Sequence, residues 1–184
     1  AHASDVLDVN PELRSRVDFW ILSFTKYGKN QVIFHNRDYP QIMYSVLDFT
    51  DYASKLKGKA LERKKKKAIK AEEKRIKNSL LRLARGLKPK DDFEKRLKEV
   101  FAKEIGSSRS QFNRAATYKQ IRTQTGILER FRDGIRRSGR YLYAMEEIFQ
   151  MEGLPVDLAK LPLVESSFDY SAYSSVGAAG IWQF

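Results

Sequence analysis

Apolar residues in this chain recur mainly at helical spacing. Leu13, Val17, Trp20, Ile21 and Phe24 return every three or four positions, which predicts a helix with one buried stripe. Pro11 suits the first helical position, with Asp8 or Asn10 as its cap. Residues 27–30 end that helix, and residues 34–36 lead to a second apolar segment over 39–49. Trp20, Phe34 and Tyr44 lie on these periodic faces, so core packing is favoured over a sugar platform. Ile69, Ile76, Leu80, Leu83 and Leu87 mark a long helix broken by Gly86 and Pro89. Phe93, Leu97, Val100 and Phe101 follow as an amphipathic set, and residues 106–108 read as a loop. Ile121, Leu128, Phe131 and Ile135 make one later stripe; Tyr141, Met145, Ile148 and Phe149 make the next. Tyr39, Met43, Val46 and Leu47 echo that last set, as if two related helices flank an inserted basic one.

Charge divides the chain more sharply than hydropathy does. The net charge is +12, yet residues 55–90 alone hold sixteen Lys and Arg against three acids. The remainder holds 19 basic and 20 acidic residues and is nearly neutral. A charge run of this kind is first a solvated helical face. Tethering to an anionic wall or membrane polymer comes second. Nucleic-acid binding comes last, because no Phe, Tyr or Trp lies between Tyr52 and Phe93 to give a stacking platform.

The most specific chemistry lies at residues 154–184. One carboxylate, Glu165, sits in sequence among Leu161, Leu163, Val164 and Phe168. Apolar surroundings would raise its pKa and let it act as a general acid near neutral pH. A stretch of small residues follows, with Gly177 and Ala178 allowing close backbone approach to a ligand. Trp182, Gln183 and Phe184 close it, two aromatic rings around an amide, as a sugar site requires. Asp169 is the only other acid nearby, and its place in a turn favours loop hydrogen bonding.

In this stretch Ser174 stands nine and Gln183 eighteen residues after Glu165, within L-P-L-V-E-S-S-F and G-A-A-G-I-W-Q-F. It resembles the catalytic motif of the lytic transglycosylases, most nearly the membrane-bound lytic murein transglycosylase D type of the goose-lysozyme-like superfamily. The resemblance implies cleavage of peptidoglycan glycan strands without water. Glu165 would protonate the glycosidic oxygen and then, as carboxylate, take a proton from the C6 hydroxyl that closes a 1,6-anhydro ring. It further implies Ser166 as partner of the glutamate, and Ser174 and Gln183 as contacts to the sugar. Gly177, Ala178, Trp182 and Phe184 would complete the substrate-binding set. No metal or organic cofactor is required. In that family the motif opens the catalytic module, so this chain would hold only its front part.

The expected architecture is therefore all-α. A helical N-terminal region (1–108) carries the basic helix, and the front of a lysozyme-like domain (109–184) follows. The expected partners are peptidoglycan strands, with an anionic polymer at residues 55–90 and no nucleic acid. The expected place is the periplasm or cell envelope, with any signal already removed. The absence of cysteine excludes thiolate chemistry and disulfides and leaves no site for an N-terminal lipid on this chain. Two other classes stay open: a wall-associated, non-catalytic glycan-binding adaptor or inactive fragment, and an intracellular nucleic-acid binder.

Overall fold

The computed structural model describes residues 9–184; Asp8, one of the two candidate caps, and residues 1–5 lie outside that range. The described chain divides into two units, one of residues 15–126 and one of residues 127–184 with residues 9–14. The first helix begins as a 3-10 turn, Pro11–Leu13, where the Asn10 side chain accepts from the Glu12 N–H at 2.9 Å. It continues as α1, Arg14–Thr25. Its inward face differs from the expected stripe: Phe19 and Ser23 are buried, while Leu13, Trp20 and Ile21 are exposed.

The unit of residues 15–126 is not all-α. It contains β1 (Gln31–Asn36), β2 (Met43–Asp48) and β3 (Ile121–Thr125), an antiparallel sheet in the order β2-β1-β3. Residues 39–49 thus hold a strand, and their echo of residues 141–149 does not reflect a second helix. The physical reason lies in run length and residue type. The stretches Val32-Ile33-Phe34 and Tyr44-Ser45-Val46-Leu47 are too short to commit to a helix. They are β-branched and aromatic, with Gly28 before them and Pro40 between, the composition of strands.

β1 is central and buried along nearly its whole length. Alternation sends Val32 and Phe34 into the main core, and Ile33 and His35 to the opposite face. There Phe19 of α1 packs on His35, ring centroids 4.7 Å apart. A bulge opposite Phe34 and His35 gives β2 an extra residue, so Tyr44 joins the core while its neighbour Ser45 reaches a helix on that same face. Asn36 ties this corner together. Its Nδ2 donates to Tyr44 Oη at 3.0 Å, and its Oδ1 accepts from the N–H groups of Asp38 and Tyr39.

Four helices follow β2: α2 (Thr50–Lys55), α3 (Gly58–Ala84), α4 (Asp92–Glu104) and α5 (Arg109–Ala115). Here the apolar spacing holds. Ile76, Leu80 and Leu83 of α3 meet Leu97 and Phe101 of α4 and Phe112 of α5 in the core, each contributing about 1.5–3 kcal/mol by burial. α4 is capped by Asp91, which accepts from the Glu94 N–H, and α5 by a reciprocal Ser108–Gln111 box. Leu87 falls beyond α3 and is exposed.

The other unit carries α6 (Leu128–Ser138), α7 (Leu142–Met151), a 3-10 turn Val156–Lys160 and the four-residue α8, Pro162–Glu165. Ile121, expected on the stripe of α6, belongs to β3 instead. Gly134 lets α6 approach the chain after α8: a Cβ there would stand 3.0 Å from the Ser167 Cβ and 3.1 Å from its Cα. Arg137 clamps the same point, donating twice to the Ser167 carbonyl at 2.9 and 2.7 Å.

Candidate functional site

β3 is an edge strand, so one side of its backbone has no strand partner. A groove of about 610 Å³ follows that edge. Trp20 of α1 flanks it, Ile69 and Glu73 of α3 line it, and Tyr118, Lys119 and Arg122 come from the approach to β3 and from β3 itself. His35 and Arg37 add to its polar lining, with Thr123 and Gln124 of β3. Trp20 is 44% and Tyr118 84% exposed. The approach to β3 is strained: Lys119 holds φ 62°, a left-handed conformation that costs a side-chain-bearing residue about 1–3 kcal/mol. That turn presents Tyr118 outward before the chain enters the strand.

The groove is basic in balance, with Arg37, Lys119 and Arg122 against Glu73. His35 adds no charge at neutral pH. Burial lowers its pKa, the hydrogen bond to the Asn36 carbonyl (2.9 Å) works the other way, and the Arg122 guanidinium lowers it further. The neutral ring donates from Nδ1 to that carbonyl, which leaves Nε2 as an acceptor.

α3 brings the larger charge. At 3.6 residues per turn its buried stripe, Ile76, Leu80 and Leu83, adjoins Ile69 and Glu73 of the groove, and Lys59, Lys66, Lys70 and Lys77 follow within roughly 60–100° of Ile69. Arg63, Lys67 and Lys74 extend the band around the helix. All seven are exposed. Among the described residues none of them forms an ion pair; the α3 pairs are Lys65–Glu62 and Arg75–Glu72, with Arg82 turned to the buried Glu94. The aromatic rings set against the cations of α3 are Tyr52, 4.7 Å from Lys64 Nζ, and Phe93, 3.7 Å from the Arg75 guanidinium; Trp20 and Tyr118 line the groove beside the helix.

The residues singled out at the C-terminal end are placed as follows. Glu165 ends α8 and is exposed. The apolar enclosure expected around it does not form, because Val164 is 61% exposed and Leu161 also faces solvent. Ser166 is buried and donates from Oγ to the Ile181 carbonyl at 2.7 Å. Ser174 Oγ accepts from the Ala178 N–H at 2.9 Å, and Gly177, at φ 97°, forms the turn between them. Gln183 Nε2 donates to the carbonyls of Gly180 (2.8 Å) and Ala172 (3.3 Å). Trp182 stacks between Phe149 and Phe184, at 5.9 and 6.3 Å. Ser166, Ser174 and Gln183 thus fasten this segment to its own backbone, and Asp169 binds the Ser171 N–H and hydroxyl as a turn. Among the described residues no group of three or more His, Asp or Glu could hold a metal, and no helix is long and apolar enough to cross a membrane.

A protein from Alteromonas sp. strain M-1 named for tributyltin chloride resistance is 45% identical over 47 residues, 26% of this chain and 23% of its own length. Membrane-bound lytic murein transglycosylase D of Escherichia coli K12 is 43% identical over 47 residues, 26% of this chain and 10% of its own. The chain therefore spans less than a quarter of either curated relative. No solved structure matches. The family model of mitochondrial ribosomal protein L37 matches residues 18–126. This overturns the assignment to the lytic transglycosylases, whose likeness is confined to short stretches. With it go peptidoglycan as substrate and partner, the periplasmic location, and the exclusion of nucleic acid. The match takes in more than half of the chain and nearly coincides with the unit of residues 15–126; by it, the chain belongs to the mitochondrial ribosomal protein L37 family.

Proposed function

We propose that the unit of residues 15–126 docks on ribosomal RNA as a structural component of a mitochondrial ribosome, with the basic band of α3 laid along the phosphates. The observation that carries this reading is the band itself. Lys59, Arg63, Lys66, Lys67, Lys70, Lys74 and Lys77 are exposed and free of carboxylate partners among the described residues. The helix is fixed by its opposite face, so the cations are presented from a rigid support. α3 has 27 residues and is about 40 Å long at 1.5 Å per residue, enough to follow several successive phosphates. Each neutralised phosphate releases counterions, so affinity falls steeply with salt. The family description supports RNA over an anionic wall polymer as the polyanion.

Replacing Lys66, Lys70, Lys74 and Lys77 together by Gln tests the reading. These side chains are exposed, so the fold is retained. Removing four contacts lowers the slope of log affinity for an RNA duplex against log salt by about three, at roughly 0.7–0.9 per phosphate. An unchanged slope, or no RNA binding by the parent chain at low salt, refutes the docking.

A further inference from the structure

The band on α3 accounts for phosphates but gives no role to the groove beside it, where Trp20 and Tyr118 stand exposed and the Lys119 ammonium lies 5.1 Å from the Tyr118 ring. We infer that this groove holds an unpaired stretch of RNA, with bases stacked on Trp20 and Tyr118 and the backbone held by Arg37, Lys119 and Arg122. The inference rests on the RNA-docking reading and names the form of RNA that this part of the surface takes.

Five observations converge on it. Both aromatic rings line one groove and are left exposed outside the core. Trp20 is steadied by an edge-to-face contact with Phe19, centroids 5.2 Å apart, which leaves ring surface open to solvent. Lys119 pays backbone strain to hold Tyr118 out at the rim. The groove, about 610 Å³, is lined by four successive residues of β3, Ile121 to Gln124, room for splayed nucleotides; paired bases have no free faces to stack. His35 places a neutral ring in the floor, and its Nε2 can accept from a ribose 2′-hydroxyl.

The test uses the full chain with Trp182→Phe, so that Trp20 is the one remaining tryptophan. It is titrated with a single-stranded oligouridylate of about twelve nucleotides, and separately with an RNA duplex of the same length. Stacking quenches Trp20 emission with the single strand and leaves it unchanged with the duplex. Tyr118→Ala, at a side chain almost wholly in solvent, weakens the single strand roughly 5- to 150-fold, the loss of one stacked base, and spares the duplex. If Trp20 emission is unmoved by bound single strand, or Tyr118→Ala binds it as the parent does, the groove inference falls. The α3 lysine variant separates the two readings. Should it alone weaken both RNAs, docking stands without the groove; should neither RNA bind the parent, both fall.

Discussion

Glu72 joins α3 to the sheet, and its removal has a calculable cost. The side chain is nine-tenths buried and accepts from Ser45 Oγ of β2 at 2.5 Å. It also takes two bonds from Arg75, at 2.8 and 2.6 Å. Burial works against its ionisation, but the Arg75 and Ser45 bonds, with the Arg75 and Arg96 charges, outweigh it and hold the pKa below the ordinary 4.5. Glu72→Ala leaves Ser45 without its acceptor and Arg75 without its partner. Because Arg75 is 44% exposed, water repairs much of its loss, and the net cost is about 1–2 kcal/mol. For a unit of this size each kcal/mol lowers Tm by about 4–8 °C. The assay is urea and thermal unfolding followed by Trp20 emission in a Trp182→Phe background, which reports the unit of residues 15–126. The dependence on pH follows from the direction of the shift. A carboxyl whose pKa is depressed on folding stabilises the native state above its unfolded value. That contribution is complete at neutral pH, declines as pH falls through 4.5, and vanishes once the folded-state carboxyl is protonated. Glu72→Gln therefore differs from the parent at pH 7 and converges with it in acid. Equal unfolding midpoints for parent and Glu72→Ala at pH 7, or a gap that widens in acid, refute the reasoning.

Gly126→Ala, just beyond β3, drives a Cβ into the backbone carbonyl of Tyr27. Backbone cannot swing aside as a side chain would, so the cost is about 2–3 kcal/mol or more, read as a lower urea midpoint for Trp20. Ser166→Ala removes the bond to the Ile181 carbonyl from a buried site and costs about 1 kcal/mol locally; proteolysis after Tyr170 or Tyr173 accelerates while Trp20 unfolding is unmoved. Glu165→Gln, at an exposed side chain outside the basic band, leaves RNA affinity and its salt slope as in the parent, measured by the same titration.

What could be read from sequence was what is local. Ile76, Leu80 and Leu83 declare their face because a helix repeats within its own turn, and Leu97 and Phe101 do likewise. α1 misleads because its apolar residues outnumber those it buries, and Trp20 and Ile21 are left at the surface beside Phe19. β3 gives almost no signal. Ile121-Arg122-Thr123-Gln124-Thr125 has a single apolar residue, and it becomes a strand because β1, paired through Phe34 with Thr123, offers it a ladder. The groove stayed hidden for the same reason: Trp20 and Tyr118 are far apart in the chain, and a window over residues 52–93 contains neither. At the C-terminal end the spacing of Glu165, Ser174 and Gln183 was legible, but the hydrogen bonds that turn Ser174 and Gln183 back on their own loop were not.

The strand order β2-β1-β3 also sets the order of assembly. β1 and β2 meet across a short loop and can pair early, whereas Phe34 waits for Thr123, about 90 residues later, with four helices to be placed between them. The closing strand carries Arg122 and is introduced by Tyr118 and Lys119, so the groove exists only once the last segment has docked. A chain stopped after α5 would keep the lysine band and lack the groove. On the proposed RNA reading, grip on an unpaired strand would thus report that the unit has finished folding.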